Sequence, residues 1–270
     1  MLCLICCLAR ALLYLNTKKT VLGKEQNMLI LPRLKSLFFK ELPDFTDPIL
    51  SQAIQIKAWR NAIHRMGWSI SENELAKVAA LPSYAVTDEE RRRGFVGTAL
   101  FYGFGRDVSD RSDAVLSGKL AWEFSCRNRK GKTWQCEYID FDKLDDIRLR
   151  PDASSRPKGF YFAKIQLGAQ FLKMTVNQLR RILEGDTGLG PEGFQLLGIT
   201  HPHLADWMNA RQMPFMALAD YDVAPYGFND FFDAPQLFCS NLVLGLGIGN
   251  VDRNYPLFGI PTLRFVSSEY

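Results

Sequence analysis

The sequence predicts an α+β protein in which a helical N-terminal section packs on a mixed, largely antiparallel sheet. Three observations carry that prediction. Apolar residues recur at helical spacing between positions 49 and 66, and two capping boxes follow shortly after. Beyond position 117 the text changes to aromatic, alternating segments separated by turn residues. Helices grouped ahead of strands is the order of an α+β chain.

Each element has its own local signal. After Pro48, the residues Ile49, Ala53, Ile56, Ile63 and Met66 recur at three-, four- and seven-residue steps, while Lys57, Arg60, Asn61 and His64 share another face. Gly67 supplies the stop, so a helix is expected over 49–66. Ser71-x-x-Glu74 and Thr87-x-x-Glu90 place a hydroxyl at the cap and a carboxylate three residues on, which predicts helices over 72–80 and 88–101. Gly105 to Ser117 reads as a polar loop. LAWEFSC (120–126) and TWQCEYIDF (133–141) read as strands joined by a turn over 127–132, and GFYFAKIQL (159–167) as a third strand. Thr175-x-x-Gln178 caps a short helix carrying Leu179, Ile182 and Leu183, closed by Gly185. At 190–199, Pro191 fits the first helical position and Glu192 the positive end of the dipole, so helix is expected, although QLLGIT alone would pass as a strand. A helix at 203–210 follows Pro202. Segments 213–220, 235–240, 241–248 and 260–266 complete the strands.

Composition bounds the class. The chain has 270 residues, 47% hydrophobic and 23% charged, which excludes collagen-like, coiled-coil and intrinsically disordered chains. Residues 1–150 carry 24 Lys and Arg against 18 Asp and Glu, whereas 151–270 carry 9 against 11. A basic front half permits a polyanionic partner without requiring one.

Three cysteines, Cys3, Cys6 and Cys7, crowd the amino terminus, where Leu2 to Leu15 form an apolar run of 14 interrupted by Arg10. A bilayer span needs about 20 apolar residues, so no integral span is expected. Palmitoylation of those cysteines is one reading of the run. The other makes Met28 the true start, with 1–27 an extension, 28–104 a helical section and 105–270 an α+β section continuous with it. Cys126, Cys136 and Cys239 are expected as free thiols, since a cytoplasmic location is the default.

Several residue patterns suggest chemistry. Gly131-Lys132-Thr133 and the GLGIGN run at 245–250 lack the spacing of phosphate-binding loops and are expected to be turn or close-packing glycines. Arg127, Arg129, Lys130 and Lys132 lie beside Trp122 and Trp134, and basic residues among aromatics can grip phosphates and stack bases. His201, His203 and Asp206 would form a first shell for a divalent transition metal, able to activate water for hydrolysis. Asp220 and Asp222 stand two apart beyond an apolar strand and could serve as paired carboxylates. The surrounding DYDVAPYGFNDFFD segment is both acidic and aromatic.

DAVLSGKLAWEF (113–124), KTWQCEYIDFDK (132–143) and the stretch from Thr200 to Phe238 resemble a family of uncharacterised bacterial proteins, over about 40 to 270. GFYFAKIQ, T-x-x-Q-L-x-x-I and GPEGFQLL are similar to a broader bacterial family of unknown function. Neither resemblance implies an activity, a cofactor or a site residue. The sequence therefore leads to an interaction or ligand-binding protein, using the 220–233 region toward a small-molecule or protein partner. A metal-dependent hydrolase and a nucleic-acid binder are the alternatives.

Overall fold

The helical front forms where capping and periodicity place it. The computed structural model describes residues 48–104, 111–143, 146–153, 156–183, 185–224 and 230–266. The chain divides into two units, Met1–Glu41 and Leu42–Tyr270, and all described residues belong to the second. The apolar run, Cys3, Cys6, Cys7 and Met28 lie outside the described residues.

Helix α1 (Gln52–Met66) buries Gln55, Ile56, Trp59 and Ala62 and ends at Gly67, whose φ of 67° is left-handed and whose N–H donates to the Ile63 carbonyl. Helices α2 (Glu72–Ala79) and α3 (Asp88–Arg92) each open in the expected capping box. The expected helix over 88–101 stops early, however. Gly94 turns the chain at φ 86°, and Gly97–Gly103 forms strand β1, paired with β4 (Gly159–Gln166) over seven residues. Partners across a sheet outweigh one capped turn.

The larger correction concerns 105–126. Arg111–Arg129 is one helix, α4, where a polar loop and a strand were expected. Ala114, Val115, Gly118, Ala121, Trp122 and Ser125 are buried, a helical and not an alternating pattern. The aromatics of LAWEFSC suggest a strand, but their spacing fits a buried helix equally well. Gly118, Ala121 and Ser125 form a low ridge against α6 (Pro191–Gln195) and the π-helical turn Leu196–Thr200 that continues it. A Cβ on Gly198 would lie 2.2 Å from the Ser125 hydroxyl. Helix is thus the correct reading of 190–199. It is buried throughout 191–200.

Strand β2 is only Thr133–Gln135, so no hairpin joins it to 120–126, and the 127–132 segment is the end of α4 and its exit turn. Strand β3 (Ile147–Leu149) carries no local sequence signal. The remaining elements are α5 (Val176–Arg180), β5 (Thr187–Gly188), α7 (His203–Asn209), β6 (Phe215–Ala217), β7 (Tyr221–Val223), β8 (Asp233–Ser240), β9 (Val243–Asn250), β10 (Phe258–Gly259) and β11 (Thr262–Phe265).

Two sheets result. One is antiparallel, in the order β1-β4-β11-β5. The other has seven strands. On one side β8 pairs with β9, which pairs in parallel with β2. On the other it pairs with β6 and β7, which carry β10 and β3 respectively. A shared core joins residues from α1, α4, the α6 segment and both sheets, including Trp59, Leu100, Trp122, Ile165, Leu196 and Leu246. A smaller cluster lies under α5, around Leu179, Ala217, Ala219 and Ala234.

Among the described residues strand β1 pairs on one side only, yet its other edge is not left bare. The Gln55 amide accepts from Leu100 N–H and donates to the Thr98 carbonyl. Trp59 Nε1 donates to the Leu100 carbonyl, and the Gln195 amide bonds both N–H and C=O of Tyr102. Three buried side chains thereby satisfy backbone groups that a further strand would otherwise cover. Among the described residues, no helix is long and apolar enough to cross a membrane.

Candidate functional site

The two histidines at the α7 entrance are held by backbone from the front of the chain. His201 is fully buried. Its Nε2 accepts the Leu50 N–H at 3.0 Å, which leaves the ring proton on Nδ1, 2.7 Å from the Thr200 hydroxyl. Burial, with His203 nearby, lowers its pKa to about 3. His203 Nε2 lies 3.1 Å from the Pro48 carbonyl and donates to it, and Asp206 is exposed one turn on. Both nitrogens of His201 are thus engaged. Among the described residues, no three His, Cys, Asp or Glu side chains group as a metal shell would require.

Asp220 and Asp222 are both buried, and each has its own arginine. Asp220 receives Arg156 Nη1 at 2.9 Å, the Gly188 N–H at 3.1 Å and the Thr187 hydroxyl. Arg156 also donates from Nε to Glu192 at 2.9 Å, and Tyr161 donates to the same carboxylate at 2.7 Å. Glu192 is fully buried, yet Arg156 and Tyr161 outweigh that burial and hold its carboxyl below the ordinary range. This knot ties α6, β4, β5 and the start of β7 together. In the sequence Glu192 stands out only as a helix-dipole residue, and Arg156 carries no signal, because its partners lie 36 and 64 positions away. Asp222 pairs instead with Arg180 at 2.8 Å, and burial still pushes its carboxyl up.

Of the 220–233 segment, 225–229 lie outside the described residues. Phe231 is covered by the Arg148 guanidinium, 3.4 Å above its ring, and among the described residues of the segment only Asp230 and Phe232 are exposed.

The basic residues at 127–132 are placed differently from the hairpin expected of them. Arg127 and Arg129 end α4, where their charge suits the negative pole of the helix. Arg129 also donates to the Pro202 carbonyl. Lys130 and Gly131 are left-handed, at φ 46° and 82°, and turn the chain into β2. Among the described residues the side chains of Arg127, Lys130 and Lys132 make no ion pair or hydrogen bond. Trp122 is buried, with its indole N–H on Gln135, but Trp134 is 44% exposed.

Trp134 opens a row of rings on the outer face of the seven-stranded sheet. It pairs with Gly245 on β9, and Gly245 pairs with Phe238 on β8. Met216 opposite Leu237 sets Phe215 beside Phe238, and Phe258 pairs with Phe215. The ring centroids are 5.9 Å apart from Trp134 to Phe238, 5.9 Å from Phe238 to Phe215 and 5.2 Å from Phe215 to Phe258. Tyr255 extends the row, 6.0 Å beyond Phe258. All but Trp134 are half-buried.

Glycines make the row possible. Gly245, Gly247 and Gly249 give β9 a bare outer face, and the Phe238 ring lies across it, so that a Cβ on Gly245 would be 2.2 Å from that ring. The GLGIGN glycines are therefore close-packing residues, as expected, and Gly131 is a turn glycine. No protein-family model, curated protein or solved structure matches this chain.

Proposed function

We propose that this chain is a binding protein, and that it makes contact through the outer face of the seven-stranded sheet at its Trp134 end. The observation behind this reading is the register row Trp134–Phe238–Phe215–Phe258, lying over a strand stripped to glycine. Aromatic rings that stay at a surface offer large, rigid contact area at low entropic cost. The 220–233 segment supports contact less well, because Asp220, Asp222 and Phe231 are occupied within the fold. A metal-dependent hydrolase with His201 as a ligand would need a free imidazole lone pair there, and the Nε2 lone pair already accepts the Leu50 N–H.

The chain has five tryptophans, and their indole N–H resonances give a direct test. Trp59 is fully buried and donates to the Leu100 carbonyl, so it should not respond to a surface ligand. Titration with oligothymidylate, with cellohexaose and with an acidic peptide should move the Trp134 resonance selectively for one of them, and Trp134→Ala should weaken that binding. Should none of the three move it at millimolar concentration, the outer face is not a contact surface for such partners and the reading fails.

A further inference from the structure

Resting on the platform reading above, we propose that the ligand of this face is single-stranded nucleic acid, with bases stacked along Trp134 and Phe238 and phosphates met by Lys130 and Lys132.

Two independent features meet at the β2 end of the sheet. The first is the row of rings, which is sequence-tolerant by nature because every nucleobase has a flat face to stack. The second is charge. Residues 127–134 carry four basic side chains and no acidic one, and Arg127, Lys130 and Lys132 make no ion pair among the described residues. The Lys132 carbonyl accepts the Leu244 N–H at 3.0 Å, so the β2–β9 pairing extends back to this residue. Lys132 stands two residues before Trp134, which in an extended strand puts both side chains on one face. Lys130 and Gly131 bend the chain at the rim of that face.

The chemistry distinguishes this ligand from its rivals. A neutral oligosaccharide would use the rings but leave the lysines without a role. A duplex would use the lysines, but its bases are stacked on each other and present no face to Trp134. An extended, unstacked polyanion uses both.

The test is fluorescence anisotropy of the full-length chain with labelled dT12, from 50 to 250 mM salt. Saturable binding that falls steeply with salt is expected. Trp134→Ala should weaken it roughly 5- to 100-fold, as removal of one stacked base does, while Trp134→Phe retains most of the affinity. Lys130→Gln combined with Lys132→Gln should flatten the salt slope by about 1.4, near 0.7 for each phosphate that is no longer neutralised. Circular dichroism of each variant checks the fold. The proposal is overturned by absence of dT12 binding at 50 mM salt, by equal affinity for a 12-base-pair duplex, or by binding indifferent to both sets of substitutions. Cellohexaose binding abolished in Trp134→Ala, without dT12 binding, would overturn the nucleic-acid assignment while preserving the platform.

Discussion

His201 has its Nε2 on the Leu50 N–H and its Nδ1 beside Thr200, and the first of these interactions requires the neutral ring. A protonated ring would lose the Leu50 bond and bury a charge beside His203. The consequence is a pH dependence of stability with a definite sign. Above pH 6.5 the ring is neutral in both folded and unfolded chains, and its contribution is complete. Below that value the unfolded chain binds a proton that the folded ring, with its pKa lowered to about 3, does not take, so stability falls with pH. From pH 7 to 5 the loss from this group is roughly 2 kcal/mol. In urea denaturation at the two pH values, His201→Gln should be less stable than the native chain at pH 7 but lose less on acidification. An identical loss in both proteins would remove His201 as the cause. The Arg156–Glu192–Asp220 knot follows the same logic from the other side. Its charges are tolerated in the interior because each has a partner and a hydrogen bond.

Strand β9 shows how glycine placement shapes an element without turning it. Its inner positions Leu244 and Leu246 face the core, and its outer positions are glycines that the Phe238 ring and the Gln236 amide cover. Gly245→Ala should push Phe238 off the strand and cost about 1–3 kcal/mol, the usual range for overpacking. Gly247→Ala should cost less, since its Cβ would meet Phe238 at 3.3 Å instead of 2.2 Å. Thermal unfolding of the two variants measures the difference, and equal losses would mean that Phe238 does not depend on the bare strand. Helix α4 teaches a related lesson. Its small residues Gly118, Ala121 and Ser125 allow the α6 segment to approach closely, and that spacing was visible in the sequence beneath an aromatic composition that suggested a strand.

Strand β11, close to the C-terminus, lies between β4 and β5 and gives the smaller sheet its middle. The fold therefore depends on pairing between distant parts of the chain, and it should not survive the removal of that pairing. A chain ending at Pro261 should lose cooperative urea unfolding, because β4 and β5 would both lose a partner and Ile165 would lose Leu263 beside it. A sigmoidal transition with unchanged steepness would show that the sheet tolerates the truncation. Local chemistry was enough to place α1, the capping boxes at Ser71, Thr87 and Thr175, the helix opening at Pro191 and the strand at 159–167. Each of these is specified by residues within a few positions of one another. The same local reading identified the α+β class and the close-packed role of the GLGIGN glycines. It could not separate α4 from a strand, extend β1 from the end of a capped turn, or find β3, because those outcomes turn on partners far along the chain. Nor could it set Trp134, Phe238, Phe215 and Phe258 in one row, since four short strands have to pair in a particular register before their rings meet. Hydrogen-bonding and packing preferences act over a few residues and can be read from a sequence; which distant segments share a face is decided only when the whole core closes.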